Sequence, residues 1–476
     1  MRNRNALSIL GAALLAGCSL APRYHRPALP VPNAYPVSDT QGRAASQAPA
    51  DVPWREFFND ARLQRLIQLA LENNRDLRIA ALNVDRVRAL YNIQRTALIP
   101  SLNATGTGRR QRTPGDLNNS GHSLVTSSYS VGLELPSYEV DFFGRIASLR
   151  EQVLQQYLAT DEARLSARLS LISAVARQYF TLIATAERLE LARQTLAAAE
   201  RSYDLNRQTF EAGVSSELDL RTSEAQRETY RANVAALELA RQQAQNALDL
   251  LVGSAFPSDL PAPGTLATQK LIEDLPAGLP SELLARRPDI RGAEHSLQAA
   301  NANIGIARAA FFPSIKLTAF DGSASADLSH LFDSGQGSWN FAPTVTLPIF
   351  AAGRNKAQLE VAKVEQRIQV ATYERAIQSA FREVADNLAT RASIGTQIAA
   401  QEARVTAARR RYELSNQRYE GGVDSYLTVL LAQQELFSAQ QSLIDARLAR
   451  LGNLVSLYAA LGGGWQDSAQ PATIRH

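Results

Sequence analysis

Residues 208–220 read QTFEAGVSSELDL and residues 417–429 read QRYEGGVDSYLTV, the second passage lying 429 − 220 = 209 positions after the first. Neither contains a His or Cys, and neither carries a catalytic motif. Each carries a glycine, Gly213 or Gly422, that can take the left-handed conformation in which helices end. Ser215 or Ser216 in the first copy and Asp424 in the second can cap a following helix, and Ser216-x-x-Asp219 has capping-box spacing. No proline occurs between Pro136 and Pro257, and from Gly144 to Ala212 the only glycine is the first residue. Gly353 to Glu420 is likewise free of proline and interrupted only by Gly395. A helix of that length would run about 100 Å at ~1.5 Å per residue. Leu165, Leu169, Ile172, Ala176, Tyr179, Ile183 and Ala186 alternate in steps of four and three, the period of a left-handed coiled coil. The spacing predicts two long helical hairpins with tips at 213–215 and 422–424.

The duplication extends beyond the tips. QRTALIPSL (94–102) matches ARAAFFPSI (307–315), Leu135-Pro136 matches Leu347-Pro348, and Gly144-Arg145 matches Gly353-Arg354. NNRDLRIA is echoed by RRPDIRGA, so the chain is a tandem repeat of one unit of roughly 200 residues. The reading gives a first repeat at 61–256, with a β-hairpin at about 101–136, and a second at 281–461, with a hairpin at about 314–348. A linker at 257–280 separates them, and 462–476 form a tail.

Before each long helix the period changes to two. Trp339, Phe341, Pro343, Val345 and Leu347 alternate with Asn340, Ala342, Thr344 and Thr346; Tyr129, Val131, Leu133 and Leu135 alternate with Ser130, Gly132 and Glu134. SLNATGTG and SIKLTAF precede the intervening loops as weaker partner strands. One apolar face and one small or polar face suits a membrane barrel strand and equally a half-buried sheet. The sequence shows no helix that reads as a span, and only helices and closed barrels cross a bilayer. Four strands cannot close a barrel; two copies would give eight with a filled interior, and three would give twelve with room for a pore.

The N-terminus supplies a compartment. Arg2 and Arg4 precede the apolar run ALSILGAALLA, too short to span a bilayer, which makes 1–17 a secretory signal. Leu15-Ala16-Gly17-Cys18 resembles a lipobox, which implies cleavage before Cys18 and lipid attachment at this single cysteine. Ser19 stands where an inner-membrane retention signal would have Asp, pointing to the outer membrane of a Gram-negative cell. Residues 18–60 begin with the proline-rich APRYHRPALPVPNAYP, an extended strap. The 50 Lys and Arg nearly balance 46 Asp and Glu without a block of like charge, so nucleic acid is not an expected partner.

These features together resemble the TolC-like outer-membrane efflux ducts, in the lipoprotein branch that includes OprM-like and NodT-like proteins. The carriers are LAGCSLAPRY, WREFFND, LIPSL, VDFFGR, FFPSI, PIFAAGR, the two tips and LYAALGGGW, in this order on the duplication. The resemblance implies a mainly α fold with a membrane β-barrel: a homotrimer with four strands per chain in a twelve-stranded barrel, and a helical periplasmic tunnel. It also implies an equatorial region built from the chain termini and the linker near FPSDLPAPGTLATQKLIEDLP. The implied function is a passive exit duct for small molecules in a tripartite pump. A periplasmic adaptor would dock at Gly213, Val214, Ser215, Gly422, Val423 and Asp424, and an inner-membrane pump, most often proton-driven, would supply the energy. Leu427 falls where relatives have a lumen-facing Leu. Leu431 falls where OprM-like ducts often have Asp, so a greasy periplasmic constriction is expected in place of an acidic ring.

Other classes fit less of the chain. The five histidines (His25, His122, His295, His330, His476) are dispersed, and no phosphate loop or nucleophile elbow is present, so neither an enzyme nor a cofactor is expected. A coiled-coil scaffold would explain the long helices but not the strands. A duct for protein secretion is the nearest alternative within the family. The only Met is Met1, so a methionine-lined metal path through the duct is not expected.

Overall fold

The computed structural model describes residues 19–36, 52–118, 121–257, 260–272 and 280–464. The signal segment and Cys18 lie outside the described residues. Two compact units share the chain: Met1–Pro27, Val84–Thr160 and Gly292–Tyr373 form one, and Ala28–Asn83, Asp161–Arg291 and Glu374–His476 the other.

Among the described residues, the first unit holds one four-stranded antiparallel sheet of β1 (Asn103–Thr113), β2 (Leu124–Val140), β3 (Ser314–Ser325) and β4 (Gly337–Thr346), in that order. The hairpin of each repeat is joined to the other by β2–β3 pairing, which leaves β1 and β4 as open edges. Register fixes the faces. Leu133 lies opposite Ala104 and Asp321, Leu135 opposite Ala319, and Phe341 and Val345 opposite Ala319 and Ile315. The apolar alternation of β2 and β4 therefore falls on one face, and Ser130, Gly132, Glu134, Asn340 and Thr344 on the other. The apolar face is bare: Trp339 is 77% exposed, and Phe341 and Val345 are also exposed.

Strand β2 departs from the expected hairpin boundary, since pairing continues past Pro136 to Val140. Proline cannot donate to the ladder, and the pairing accommodates it with a register shift between Leu135 and Tyr138. Gly132 faces Gly322 so closely that a Cβ on either would come within 2.5 or 2.2 Å of the neighbouring strand's carbonyl oxygen. The Phe320 ring covers both glycines from the polar face.

In the same unit, chain from Leu20 to Arg26 lies along α7 (Pro288–Ala309). Asn301 donates to the Pro22 carbonyl at 2.8 Å, Arg308 to the Leu20 carbonyl at 3.0 Å, and Tyr24 and Arg26 bind Glu294. Gly305 permits the approach, because a Cβ there would sit 2.9 Å from Ala21.

In the second unit, α1 (Trp54–Phe57) interrupts the strap, and α2 (Ala61–Asn73) buries Leu63, Leu66, Ile67, Leu69 and Ala70. Asp60 caps α2 through the Leu63 amide at 2.9 Å and accepts from Tyr179 and Gln269, tying the helix start to chain remote in sequence. Phe57 stacks on Tyr458 with centroids 4.0 Å apart. Leu271, in the linker between repeats, bridges Phe58.

Besides α3 (Arg75–Thr96) and the short α6 (Leu283–Arg286), four long helices dominate the described residues: α4 (Arg145–Glu211), α5 (Glu217–Val252), α8 (Arg354–Glu420) and α9 (Tyr426–Ala460). The first of each pair is 67 residues long in both repeats. The heptad line of α4 holds from Leu169 to Ile183, then shifts: Ala186 is exposed, and Thr185, Leu189, Ala192 and Ala199 are buried in its place. A strict seam gives way because α4 is packed on a broad face, with Leu171, Val175, Phe180 and Ala184 also buried. This breadth makes one 18-residue window of α4 apolar enough to read as a membrane span, contrary to the expectation that no helix would. That window is 56% buried within the protein, as the core face of a packed helix is.

Candidate functional site

Both tips end their first helix in the same way. Gly213 and Gly422 have φ of 75° and 74°. The Gly213 amide donates to the Phe210 carbonyl and the Val214 amide to the Thr209 carbonyl, at 2.9 and 2.8 Å. Gly422 and Val423 repeat this onto Tyr419 and Arg418 with the same distances. Each is a Schellman turn, which satisfies carbonyls that the helix end leaves without intrahelical donors. Val214 and Val423 stand exposed at the apices, at 80% and 65%.

The two turns are closed differently. In the first, the Ser215 and Thr209 hydroxyls lie 3.0 Å apart, and Ser216 caps α5 by accepting from the Asp219 amide at 3.2 Å. In the second, Asp424 does not cap α9, contrary to the sequence expectation. Arg418 donates to both its carboxylate oxygens, at 2.6 and 3.0 Å, and the N-cap residue is Ser425, whose side chain makes no capping bond. A bidentate guanidinium outcompetes a single backbone amide for the carboxylate. The same hydrogen bonds hold the Asp424 carboxyl below its usual range.

The sequence reading missed this clasp and a second link, from the Tyr419 hydroxyl to Asn206 Oδ1 at 2.5 Å, which joins α8 to α4. The duplication held a signal for the clasp: 418 − 209 = 209 and 424 − 215 = 209, so the Arg–Asp pair occupies the positions of the Thr–Ser pair.

Leu427 and Leu431 share one face of α9 and are 55% and 50% exposed. Tyr426, Val429 and Leu430, on the other side of the helix, form the local core with Tyr412 and Tyr419. Within one chain the leucine pair is therefore surface and not coiled-coil core. Among the described residues no group of three or more His, Cys, Asp or Glu side chains could hold a metal ion.

The sequence profile of the outer membrane efflux protein family matches residues 66–254 and 279–463, one segment for each repeat. The chain is 48% identical over 465 residues to the antibiotic efflux pump outer membrane protein ArpC of Pseudomonas putida, covering 97% of this chain and 96% of that one. It is 49% identical over 466 residues to the toluene efflux pump outer membrane protein TtgI of Pseudomonas putida, covering 97% and 99%. Among solved structures, the open state of the Neisseria gonorrhoeae MtrE outer membrane channel superposes with a TM-score of 0.86 at 42% identity, covering 95% of this chain and all of that one. Two matched segments, a sheet with open edges and paired helical hairpins thus converge, and the chain belongs to the outer membrane efflux protein family.

Proposed function

We propose that three copies of this chain close a twelve-stranded barrel in the outer membrane and form the passive exit duct of a tripartite efflux pump. The observation that carries the reading is the sheet: among the described residues, four strands, one bare apolar face and an unpaired edge at each end. Unpaired edges in a bilayer leave backbone groups without partners, and pairing β1 of one copy with β4 of the next satisfies them. Relatives named for antibiotic and toluene efflux support small, largely apolar cargo. The six exposed turns of such a trimer would receive a periplasmic adaptor, and a proton-driven inner-membrane pump would supply the energy.

Cys18 would carry the lipid anchor, its acyl chains adding to a hold that the barrel already provides. Cys18→Ser is expected to abolish palmitate incorporation while leaving the protein in the outer membrane; undiminished label in the mutant would refute the anchor.

Leu427 and Leu431 would narrow the periplasmic end of the duct, each contributing three copies to a ring that closes by dewetting. Their exposure in the single chain supports a lumenal position. In planar bilayers, Leu427→Ser or Leu431→Ser is expected to raise single-channel conductance without loss of the trimer. Unchanged conductance with stability lowered by about 2–5 kcal/mol would instead mark buried leucines.

A further inference from the structure

The bare apolar face of the sheet changes chemistry at its loop end. Along β2 towards the first hairpin loop, this face presents Leu133, Val131, Tyr129, Ser127 and Val125, and the β1 residues opposite them are Ala104, Gly106, Gly108, Arg110 and Arg112. The Tyr129 ring lies over Gly108, 3.3 Å from where a Cβ would be. Tyrosine marks the level at which apolar chain gives way to headgroups, and the two arginines stand one and two rows beyond it. They are the only basic residues that β1 to β4 place on this face; Arg109 and Lys316 fall on the other. Both are exposed, and among the described residues neither pairs with a carboxylate. Arg112 Nη2 donates to Ser123 Oγ at 3.2 Å, which holds one guanidinium at the rim.

A lipid-facing arginine is costly at the centre of a bilayer and nearly free at its interface, so this face can bear two only where phosphates are within reach. We propose that Arg110 and Arg112, with Tyr129 beneath them, form a binding site on the outer wall of the duct for the phosphates of the outer leaflet's glycolipid. The inference rests on the barrel reading above, which directs this face to lipid. A planar guanidinium meets two phosphate oxygens at once, and a pair two residues apart on one strand face presents adjoining donors to a bis-phosphorylated headgroup.

The test uses the full-length protein purified in detergent, with its assembly read separately on native gels and its binding read by titration. The probes are bis-phosphorylated lipid A, lipid A stripped of both phosphates, and inorganic phosphate. Arg110→Gln and Arg112→Gln are each expected to weaken bis-phosphorylated lipid A about fivefold, the double variant about 25-fold, and Arg109→Gln not at all. Stripped lipid A should bind wild type no better than the double variant does. Wild-type affinity in the double variant, equal weakening by Arg109→Gln, or full competition by millimolar inorganic phosphate would each overturn the site. If the double variant alone fails to assemble, the single variants decide. Wild type that does not assemble would instead refute the barrel reading and this inference with it.

Discussion

At Gly213 and Gly422 nothing lies within 4 Å of where a Cβ would be, so only the backbone conformation opposes a side chain. Left-handed φ costs an ordinary residue about 1–2 kcal/mol, and a β-branched one more, whereas Asn tolerates it. Gly422→Val is therefore expected to abolish drug resistance with the trimer still assembled on native gels, and Gly422→Asn to preserve resistance; the same pair at Gly213 should behave alike. Full resistance in both valine variants would separate these turns from adaptor docking. Glycine positions were legible because their spacing punctuates otherwise unbroken helices. The Arg418–Asp424 clasp was not, since a capping residue and an ion-pair partner are the same residue type until geometry chooses between them. Leu427 and Leu431 show the same limit: i, i+4 spacing puts two leucines on one face without saying what that face meets.

Among the elements, the sheet is most constrained where β2 meets β3 at Gly132 and Gly322. The two nearest atoms a Cβ would strike at either glycine belong to the opposite strand's backbone and cannot rotate away, and the Phe320 ring closes the space behind them. Gly132→Val or Gly322→Val is expected to destabilise the assembled protein by about 3 kcal/mol, the upper end of ordinary overpacking, and to lower its thermal midpoint. Gly106→Val, where a Cβ meets nothing within 4 Å, should leave the midpoint nearly unchanged. A midpoint unmoved by all three would mean that the strands can separate at this crossing without penalty. Strand periodicity was readable in β2 and β4, whose faces differ in polarity. The β2–β3 pairing between repeats had no local signal, and Pro136 looked like a strand end because the bulge that absorbs it depends on the neighbouring strand. In α4 the heptad failed at Ala186, since a helix packed on a broad face need not keep one seam.

For the whole molecule, duplication is the organising fact. Two 67-residue helices, two Schellman turns with the same distances and two hairpins in one sheet show that both repeats kept the same geometry while their turn-closing chemistry diverged. Among the described residues one chain has four strands and two unpaired edges, so stoichiometry decides the barrel: three copies would close one with an open interior, whereas two would close eight strands around side chains. Native mass spectrometry of the full-length protein in detergent measures this directly. A closed twelve-stranded barrel requires a dominant species at three times the mass of the mature chain; a dominant species of one or two chains would rule it out.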